Sequence, residues 1–539
     1  MDIENIKLII GAKDDCSTDA LKIFIDKSEK VFTFPNLDEI IRKDLWNRIY
    51  NLASCTSDEQ TQAYCFSALR ILGRDQKLLD ILILENDWLG LIKKCCGLDD
   101  PDFQFTDKNK FVAVEAEKSL CNLVRNSQKV AKKCCENDIL YNIIDRMKLY
   151  KNCSFPAEIK FFDVKLVFII TALCPASRKT LRDEKNAVFY HVDVLHHILD
   201  SSRTYNANDI ISLNDESVNL SCELLKSLFN LTVHVKIDEN DMNMYKDLMK
   251  LLREYLLIST DPKEKSNILH NDVINLLTNM PNQCYSKLIP SMEDRNEKVL
   301  EYRGHNVECL KQILEILKKK LINDGSVTQQ HEILSPILTV MYKGACAESI
   351  IRKYLRSEIL PPLKDVHSRP EDGSTLRNYL CRLLTSPMTC LRDIVAEFLF
   401  VLCKMNVRRM IKYTGYGNAA GLFAQRGLLG CQQDEEASKF SSDSEDSETE
   451  EYAEHKHEIN PVLGCYEPPR SDAMADMTDE QKEYEAMKLV QLMDNLTKSG
   501  TIKPCRVGKD GKPEPIEHVL QLREHLKNQK YSQEDSDSD

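Results

Sequence analysis

The stretch IKYTGYGNAAGL, residues 411–422, holds three glycines, Gly415, Gly417 and Gly421, and a loop of this kind could cradle a nucleotide phosphate. Such a loop needs a strand before it, so that backbone amides opening the next helix face the phosphate. Residues 393–413 instead have the pattern of a long amphipathic helix, and the spacing is GxGxxxG rather than GxGxxG. The glycines therefore predict a joint between helices, with Gly415 ending one helix and Asn418 capping the next.

Cysteine is the other residue type whose number could indicate chemistry, since the chain has twenty. No two of them are spaced as C-x-x-C, and the sequence has no HExxH motif, so the ligand spacing of a zinc site is missing. Cys95/Cys96 and Cys134/Cys135 are adjacent pairs within apolar helical patterns, where reduced cysteine behaves as a small hydrophobe. We expect no metal and no cofactor.

Helical periodicity runs from about residue 16 to 430, and a polar position recurs within it. SALRILGRD (67–75), SLCNLVRNS (119–127), SLFNLTVHV (227–235) and LLTNMPNQC (276–284) each place a polar residue fourth among apolar neighbours. FIITALCPA (168–176) has the same apolar pattern without the asparagine. The period near fifty residues predicts an armadillo/HEAT-like superhelix of stacked helices. The fourth positions, which we call the ladder, are Arg70, Asn122, Asn230 and Asn279.

The ladder has two interpretations of equal standing. Along an inner groove it would hydrogen-bond an extended peptide or a helix, whereas as a structural feature its asparagines would bridge backbone groups between repeats. Arg74 shares a helix face with Arg70, and a guanidinium at this end of the groove can bind a carboxylate bidentately. A second basic cluster, which contains Arg352 and Lys353, precedes two prolines that end a helix.

The charge distribution excludes one class of partner. The net charge is -13, and residues 434–451 hold nine Asp/Glu against one Lys, which argues against nucleic-acid binding. The N-terminus lacks the pattern of a secretory signal, and the longest largely apolar run, 166–173, is too short to span a bilayer. We expect a cytoplasmic protein, and a monomer by default.

The C-terminal fifth has two features. The acidic tract predicts a disordered linker, and Ser442 and Ser447 each have an acidic residue three positions later, which suits an acidophilic, casein-kinase-type kinase. Thr478 and Gln481 then form a capping box before an amphipathic helix whose apolar face includes Ala486, Val490, Met493 and Leu496.

Several stretches together resemble one family. IKYTGYGNAAGL, SLCNLV (119–124), SFPAEIKFFDVKLVFIITAL (154–173) and TDEQKEYEAMKLVQLMDNL (478–496) are similar to the synembryn family, the "resistance to inhibitors of cholinesterase" proteins, as are LPPLKDV and AEFLFVLC. The resemblance implies a guanine nucleotide exchange factor and folding chaperone for heterotrimeric G-protein alpha subunits, without covalent catalysis. It implies that the partner's C-terminal helix lies in the concave groove, against the ladder, Arg74, Arg352 and Lys353. It also implies phosphorylation at Ser442 and Ser447 and recruitment to the cell cortex.

The expected fold class is thus all-α, with a partly disordered C-terminal region carrying a short amphipathic helix. The alternative is an armadillo-type adaptor that binds peptides without exchange activity. The expected boundaries are 1–430 for the repeat domain, 431–477 for the linker, 478–497 for the amphipathic helix and 498–539 for a mostly flexible tail.

Overall fold

The computed structural model describes residues 3–11, 14–152, 154–205, 212–235, 237–239, 241–292, 300–322, 327–429, 449–467, 477–508 and 510–516. The chain divides into two compact units, Met1–Leu288 and Ile289–Asp539. Each unit consists mainly of α-helices, so the all-α prediction is confirmed. No helix within these ranges is long and apolar enough to cross a membrane.

The first unit is a succession of helices joined by short turns. Single residues form several of these turns. Asp138, with a left-handed backbone, precedes α9, and Ser127 both ends α7 and caps α8. The helices are α1 Ile3–Gly11, α2 Asp14–Ser28, α3 Glu39–Cys55, α4 Glu59–Leu72, α5 Leu79–Glu85, α6 Trp88–Cys95, α7 Asp107–Asn126, α8 Gln128–Glu136, α9 Ile139–Arg146, α10 Ala157–Leu173, α11 Ser177–Asp183, α12 Ala187–Tyr205, α13 Asp215–Thr232, α14 Met242–Leu257 and α15 Ser266–Leu277, with 3₁₀ turns at Met147–Leu149, Lys263–Lys265 and Asn282–Leu288.

Side-chain caps fix the starts of three helices that carry the ladder. The Asp58 carboxylate accepts a hydrogen bond from Thr61 N at the start of α4, and Asn214 caps α13. Thr106 and Asn109 form a reciprocal capping box at the start of α7. Each cap satisfies amides that the first helical turn leaves without an intrahelical partner, which stabilises the helix by about 1 kcal/mol.

The helices α4, α7, α10, α13 and α15 pack side by side in this order, and we call them the ladder helices. Their apolar residues form the core between neighbours. On α4, for example, Phe66 and Leu69 are almost completely buried. At about 1.5–3 kcal/mol for each such side chain, burial between helices contributes far more than helix propensity.

The second unit contains the remaining helices. The sequence predicts one long helix through residues 393–413, but the structure breaks it after Leu402, where Lys404 and Met405 have left-handed backbones and Asn406 caps the next helix. The helices are α16 Glu308–Ile322, α17 Val327–Ala347, α18 Ser349–Ile359, α19 Leu376–Leu383, α20 Thr389–Leu402, α21 Val407–Thr414, α22 Tyr416–Arg426, α23 Glu450–His455 and α24 Asp479–Lys498.

The strands of the described residues form four two-stranded pairs. β1 Ser212–Leu213 pairs in parallel with β2 Ser259–Thr260, and the other three pairs are antiparallel hairpins. These are β3 Glu301–Tyr302 with β4 His305–Asn306, β5 Ile459–Asn460 with β6 Cys465–Tyr466, and β7 Cys505–Val507 with β8 Pro513–Pro515.

The C-terminal region differs in part from the sequence expectation. The amphipathic helix is confirmed as α24, with the capping box of Thr478 and Gln481. Residues 449–467 fall within the predicted linker, yet they form α23 and the hairpin β5–β6, and residues 505–515 of the predicted tail form a second hairpin. Both hairpins are stabilised by backbone hydrogen bonds to α22 and its flanks, which composition does not reveal. Ser442 and Ser447 lie outside the described residues.

Candidate functional site

The ladder positions lie on successive ladder helices or directly after them. Arg70 is on α4, Asn122 on α7 and Asn230 on α13, while Asn279 follows the end of α15. The repeat without an asparagine has Thr171 of α10 at the corresponding position. The predicted repeat alignment therefore follows the order in which the helices pack.

Each ladder asparagine connects its helix to a neighbouring one. Asn122 Nδ2 donates to the Arg70 carbonyl oxygen at 3.0 Å. Asn230 Nδ2 donates to the carbonyl oxygen of Phe168 at 3.0 Å and to Thr171 Oγ1 at 3.1 Å. Asn279 Nδ2 in turn reaches the Phe229 carbonyl oxygen at 2.9 Å. The asparagines therefore bridge backbone groups between repeats, as the structural interpretation of the ladder predicts. These bonds hold the ladder helices in register.

Arg70 takes part in a charged cluster between α4 and α7. Its Nε lies 3.2 Å from Glu115 Oε2, which also accepts a hydrogen bond from Ser67 Oγ at 2.8 Å, while Lys118 Nζ donates to Glu115 Oε1 at 2.9 Å. Burial alone would raise the pKa of Glu115, but the bonds from Lys118 and Ser67 and the charges of Lys118 and Arg70 lower it below its ordinary value. Glu115 is therefore ionised, and two cations share one carboxylate.

Arg74 lies two residues beyond Leu72, the last residue of α4, so it is not on a common helix face with Arg70, contrary to the sequence prediction. Its Nη1 donates to the carbonyl oxygens of Glu29 and Val31, and its guanidinium lies 5.2 Å from the centre of the Phe32 ring. Burial and the charge of Arg70 lower the pKa of Arg74 from its ordinary value. A guanidinium stays protonated at neutral pH even so, and Arg74 therefore contributes a positive charge at this position.

Arg70, Arg74 and Asn122 line one cavity of about 580 Å³, which we call the basic recess. Five of its lining side chains are cationic, and none of these lining residues, all within the described ranges, is acidic. Sequence reasoning missed several of its members. The full lining is Phe32, Arg70, Arg74, Lys118, Cys121, Asn122, Arg125, Asn126, Phe162, Lys165 and Ile169.

A longer repeat motif could have revealed part of this surface. Residues 115–123 and 223–231 both read E-x-x-K-S-L-x-N-L, with the ladder asparagine in the eighth position. In both copies the lysine pairs with the glutamate three residues earlier, at 2.9 Å for Lys118 and 2.7 Å for Lys226. Both ammonium groups also lie over a phenylalanine of α10, Lys118 at 5.7 Å from the Phe162 ring and Lys226 at 5.5 Å from the Phe168 ring.

The far end of the ladder carries an excess of negative charge. Asp272 of α15 faces Cys222, Glu223 and Lys226 of α13. Burial and the charge of Glu223 raise the pKa of Asp272 to about 6, against the opposing charge of Lys226. Within the described residues, Asp272 Oδ2 and Glu223 Oε2 are buried without a hydrogen-bond partner. The two ends of the ladder thus differ in charge.

A buried ion cluster fixes α7 against α10. Arg146 is at the end of α9. Its Nη2 donates a hydrogen bond to Glu117 Oε1 at 2.7 Å, and its Nε donates to Asp163 Oδ2 at 2.8 Å. Tyr150 donates its hydroxyl to the same Asp163 oxygen at 2.7 Å. Burial and the charge of Asp163 raise the pKa of Glu117 well above its ordinary value. The cluster positions the two helices that carry Lys118, Asn122 and Lys165.

Arg352 and Lys353 are on α18, in the second unit, and therefore belong to a different compact body from the basic recess. Arg352 Nη1 donates to the Ala345 carbonyl oxygen at 2.8 Å, across the turn between α17 and α18. The helix ends at Ile359, two residues before Pro361, the first of the two prolines, as the sequence predicts. The role of Arg352 and Lys353 in partner binding stays a prediction.

The glycine stretch is a joint between helices, as predicted, and its composition has a structural reason. Gly415 has φ 75° and ψ 150°, a combination that essentially only glycine adopts. Tyr416 N donates to the Pro461 carbonyl oxygen at 2.8 Å, and Gly417 N to that of Val462 at 3.0 Å. The turn of hairpin β5–β6 thereby caps the start of α22, and a side chain on either glycine would press on that turn.

One detail of the joint was predicted wrongly. Asn418 is the third residue of α22 rather than its cap, because Gly415 already ends α21 and the helix begins at Tyr416. Its Nδ2 donates to the Thr414 carbonyl oxygen and to Glu371 Oε2, both at 2.9 Å.

Fold and recess together define an all-α helical-repeat protein with a basic, aromatic-edged cavity on its ladder helices. A family model described as "Guanine nucleotide exchange factor synembryn" matches residues 65–512. "Chaperone Ric-8" of Drosophila pseudoobscura pseudoobscura is 37% identical over 577 residues, which covers 99% of each chain. "Chaperone Ric-8A" of Xenopus tropicalis is 36% identical over 532 residues, or 96% of each chain. Among solved structures, SYS-1 is similar with a TM-score of 0.48 and 13% identity, over 81% of this chain and 70% of that one. This chain belongs to the synembryn, or Ric-8, family.

Proposed function

We propose that this chain is a guanine nucleotide exchange factor and folding chaperone for heterotrimeric G-protein alpha subunits, and that it binds the alpha subunit's C-terminal helix on its ladder helices. The observation that carries the proposal is the basic recess. Membership of a family described by nucleotide exchange, with relatives named as chaperones, supports the activity.

The recess has the chemistry to bind a chain terminus. A free C-terminus is a carboxylate, and guanidinium groups bind carboxylates through paired, charge-assisted hydrogen bonds. Phe32, 68% exposed, and the half-buried Phe162 supply apolar surface for the last side chains of the ligand. In this proposal Arg70, Arg74 and Asn122 contact the terminus, and Asn230 and Asn279 lie along the bound helix.

Exchange follows from linkage and requires no covalent step. A protein that binds the nucleotide-free alpha subunit more tightly than the nucleotide-bound one must weaken the alpha subunit's affinity for nucleotide by the same factor. Holding the C-terminal helix away from the rest of the alpha subunit would give that preference, since the helix could not pack in both places. GTP binding would then release the partner.

The helix α24 is the proposed second contact with the alpha subunit. None of its residues is buried, and Tyr484, Met487, Leu489 and Leu492 are each more than half exposed. An amphipathic helix with uncovered apolar residues is suited to packing against a partner.

The remaining predicted contacts complete the proposal. Arg352 and Lys353 would contact the same partner, and an acidophilic kinase would phosphorylate Ser442 and Ser447. We expect a cytoplasmic monomer that is recruited to the cell cortex when it acts.

Peptide binding tests the recess. We expect a peptide of the alpha subunit's last residues to lose about ten- to hundredfold in affinity when its C-terminus is amidated, because charge-assisted hydrogen bonds contribute about 1.5–3 kcal/mol. Arg125 is exposed and makes no hydrogen bond or ion pair among the described residues, so Arg125→Glu tests the charge of the recess without breaking a fold contact. Reversing one charge about 8 Å from the terminus, at an effective dielectric of about 40, changes binding by about 2 kcal/mol, or roughly thirtyfold before salt screening.

The matched control is Lys132→Glu, an exposed charge reversal on α8 at a residue that is not part of the recess lining. Equal binding of the free and amidated peptides, or equal losses in the two variants, would contradict the placement of the terminus.

GDP release from a purified inhibitory-class alpha subunit tests the activity. We expect the wild-type protein to accelerate release and Arg125→Glu to do so less. Peptide binding without faster GDP release from any alpha-subunit class would instead favour an adaptor or a chaperone without exchange activity.

A further inference from the structure

The hairpin β7–β8 follows α24 after only six residues, 499–504. Gly500, with φ 72°, ends the helix, and Thr501 N donates to the Leu496 carbonyl oxygen at 3.0 Å. Arg506 and Glu514 form an ion pair across the strands at 3.0 Å. The hairpin is therefore a folded element attached to α24 by a short link of at most about 20 Å.

The turn of this hairpin meets the end of α22 backbone to backbone. Gly427, with φ 73°, ends α22, and Gly511 in the turn has φ 70°. Leu429 N donates to the Gly511 carbonyl oxygen at 3.3 Å. A Cβ on Gly511 would lie 1.7 Å from the Gly427 carbonyl oxygen, and one on Gly427 would lie 2.5 Å from that of Asp510. Only glycine on both sides permits this approach.

The two ends of α22 thus hold two different hairpins. The turn of β5–β6 caps its start through Tyr416 and Gly417, and the turn of β7–β8 contacts its end at Gly427 and Leu429. In sequence α24 lies between these hairpins, so the chain on both sides of it is attached to the same helix. A helix with no buried residue of its own needs such attachments if it is to occupy a defined position.

We propose that hairpin β7–β8 is an anchor that holds α24 in a fixed position relative to α22 through the Gly427–Gly511 contact. The functional consequence rests on the proposed function: a positioned α24 meets the alpha subunit as an intramolecular second contact, at a high effective concentration. Without the anchor, twelve residues, 467–478, link α24 to β5–β6 in place of the six that link it to β7–β8. Effective concentration falls with about the 3/2 power of linker length, which predicts about a threefold loss of alpha-subunit affinity, and more once orientation is lost.

The test is the distance between α22 and α24 in the full chain. Spin labels at the exposed positions Gln425 and Leu492, introduced as noncanonical amino acids to avoid the native cysteines, report it by pulsed electron resonance. We expect one narrow distance distribution in the wild type and a broad one in Gly511→Ala. The matched control is Gly304→Ala. Gly304 has a similar positive φ of 79°, but nothing lies within 4 Å of an added Cβ, so this variant should keep the narrow distance distribution.

Hydrogen exchange and binding complete the test. The Leu429 amide should exchange faster in Gly511→Ala than in the control, and the alpha subunit should bind Gly511→Ala at least about threefold more weakly while its C-terminal peptide binds equally. A broad distribution in the wild type, or a narrow one in Gly511→Ala, would overturn the anchor. Broadening with unchanged alpha-subunit affinity would overturn its consequence. A wild type that binds no alpha subunit would refute the proposed function, while the distance measurement would still decide on the anchor.

Discussion

The charge at the far end of the ladder gives a quantitative prediction for the variant Asp272→Asn. Asp272 belongs to a cluster of two carboxylates and one ammonium, with Glu223 and Lys226, and burial raises its pKa from 3.8 to about 6. An acid whose pKa rises on folding holds its proton more tightly in the native state. Its contribution to the free energy of unfolding is therefore favourable at low pH and is lost as the pH rises between the two pKa values.

The size of the effect follows from the shift. At about 1.36 kcal/mol per pKa unit, an ionised Asp272 costs at most about 3 kcal/mol at pH 7.5 and about half of that at pH 5. Asparagine keeps the shape and carries no charge. We therefore expect Asp272→Asn to be more stable than the wild type at pH 7.5 by about 1–3 kcal/mol, and the gain to shrink as the pH falls.

Urea denaturation followed by circular dichroism at pH 7.5 and pH 5 measures this difference in the first cooperative transition. The control is Asp247→Asn, whose carboxylate is 61% exposed and pairs with Lys250 on the surface of α14. A variant that is less stable than the wild type at pH 7.5, or a difference independent of pH, would refute the reasoning, because either result means that folding buries the charge of Asp272 at little cost.

Three further outcomes are expected. Arg146→Met leaves two buried carboxylates without their cation and should lower the free energy of unfolding by about 3–5 kcal/mol, measured by urea denaturation. Gly415→Ala should increase hydrogen exchange in the hairpin β5–β6, because Ala strains the positive φ and presses on the turn, whereas Gly421→Ala, with nothing within 4 Å, should not. Thr478→Ala removes the capping box of α24 and should destabilise that helix by about 1 kcal/mol, seen as faster amide exchange in its first turn.

Local sequence was sufficient for much of the fold. The apolar period of the ladder helices, the capping box at Thr478 and the prolines after α18 each act within a few residues, so their consequences could be predicted without tertiary contacts. The break after Leu402 could not, because Lys404 and Met405 have ordinary helical identities and adopt left-handed backbones only in the folded chain. The same holds for residues 449–467, whose hairpin is stabilised by backbone bonds to a distant joint.

The candidate site shows the same division. The repeat alignment found Arg70 and Asn122 because the fourth position recurs in sequence. Arg125, Asn126 and Lys165 were missed, since they line the recess only when α7 and α10 lie side by side. The motif E-x-x-K-S-L-x-N-L was present in the sequence and would have identified Lys118 and Lys226.

The sequence by itself determined that the chain is an all-α repeat protein, that its glycine stretch is a joint between helices, and which family it resembles. These properties depend on periodicity and on short motifs, which are local. Only the tertiary structure decided that the ladder asparagines bond to neighbouring helices, that five cations line one recess, and that the glycines of the signature receive a hairpin from the C-terminal region. These properties depend on contacts between residues some fifty positions apart, and no local pattern specifies which backbone groups will meet.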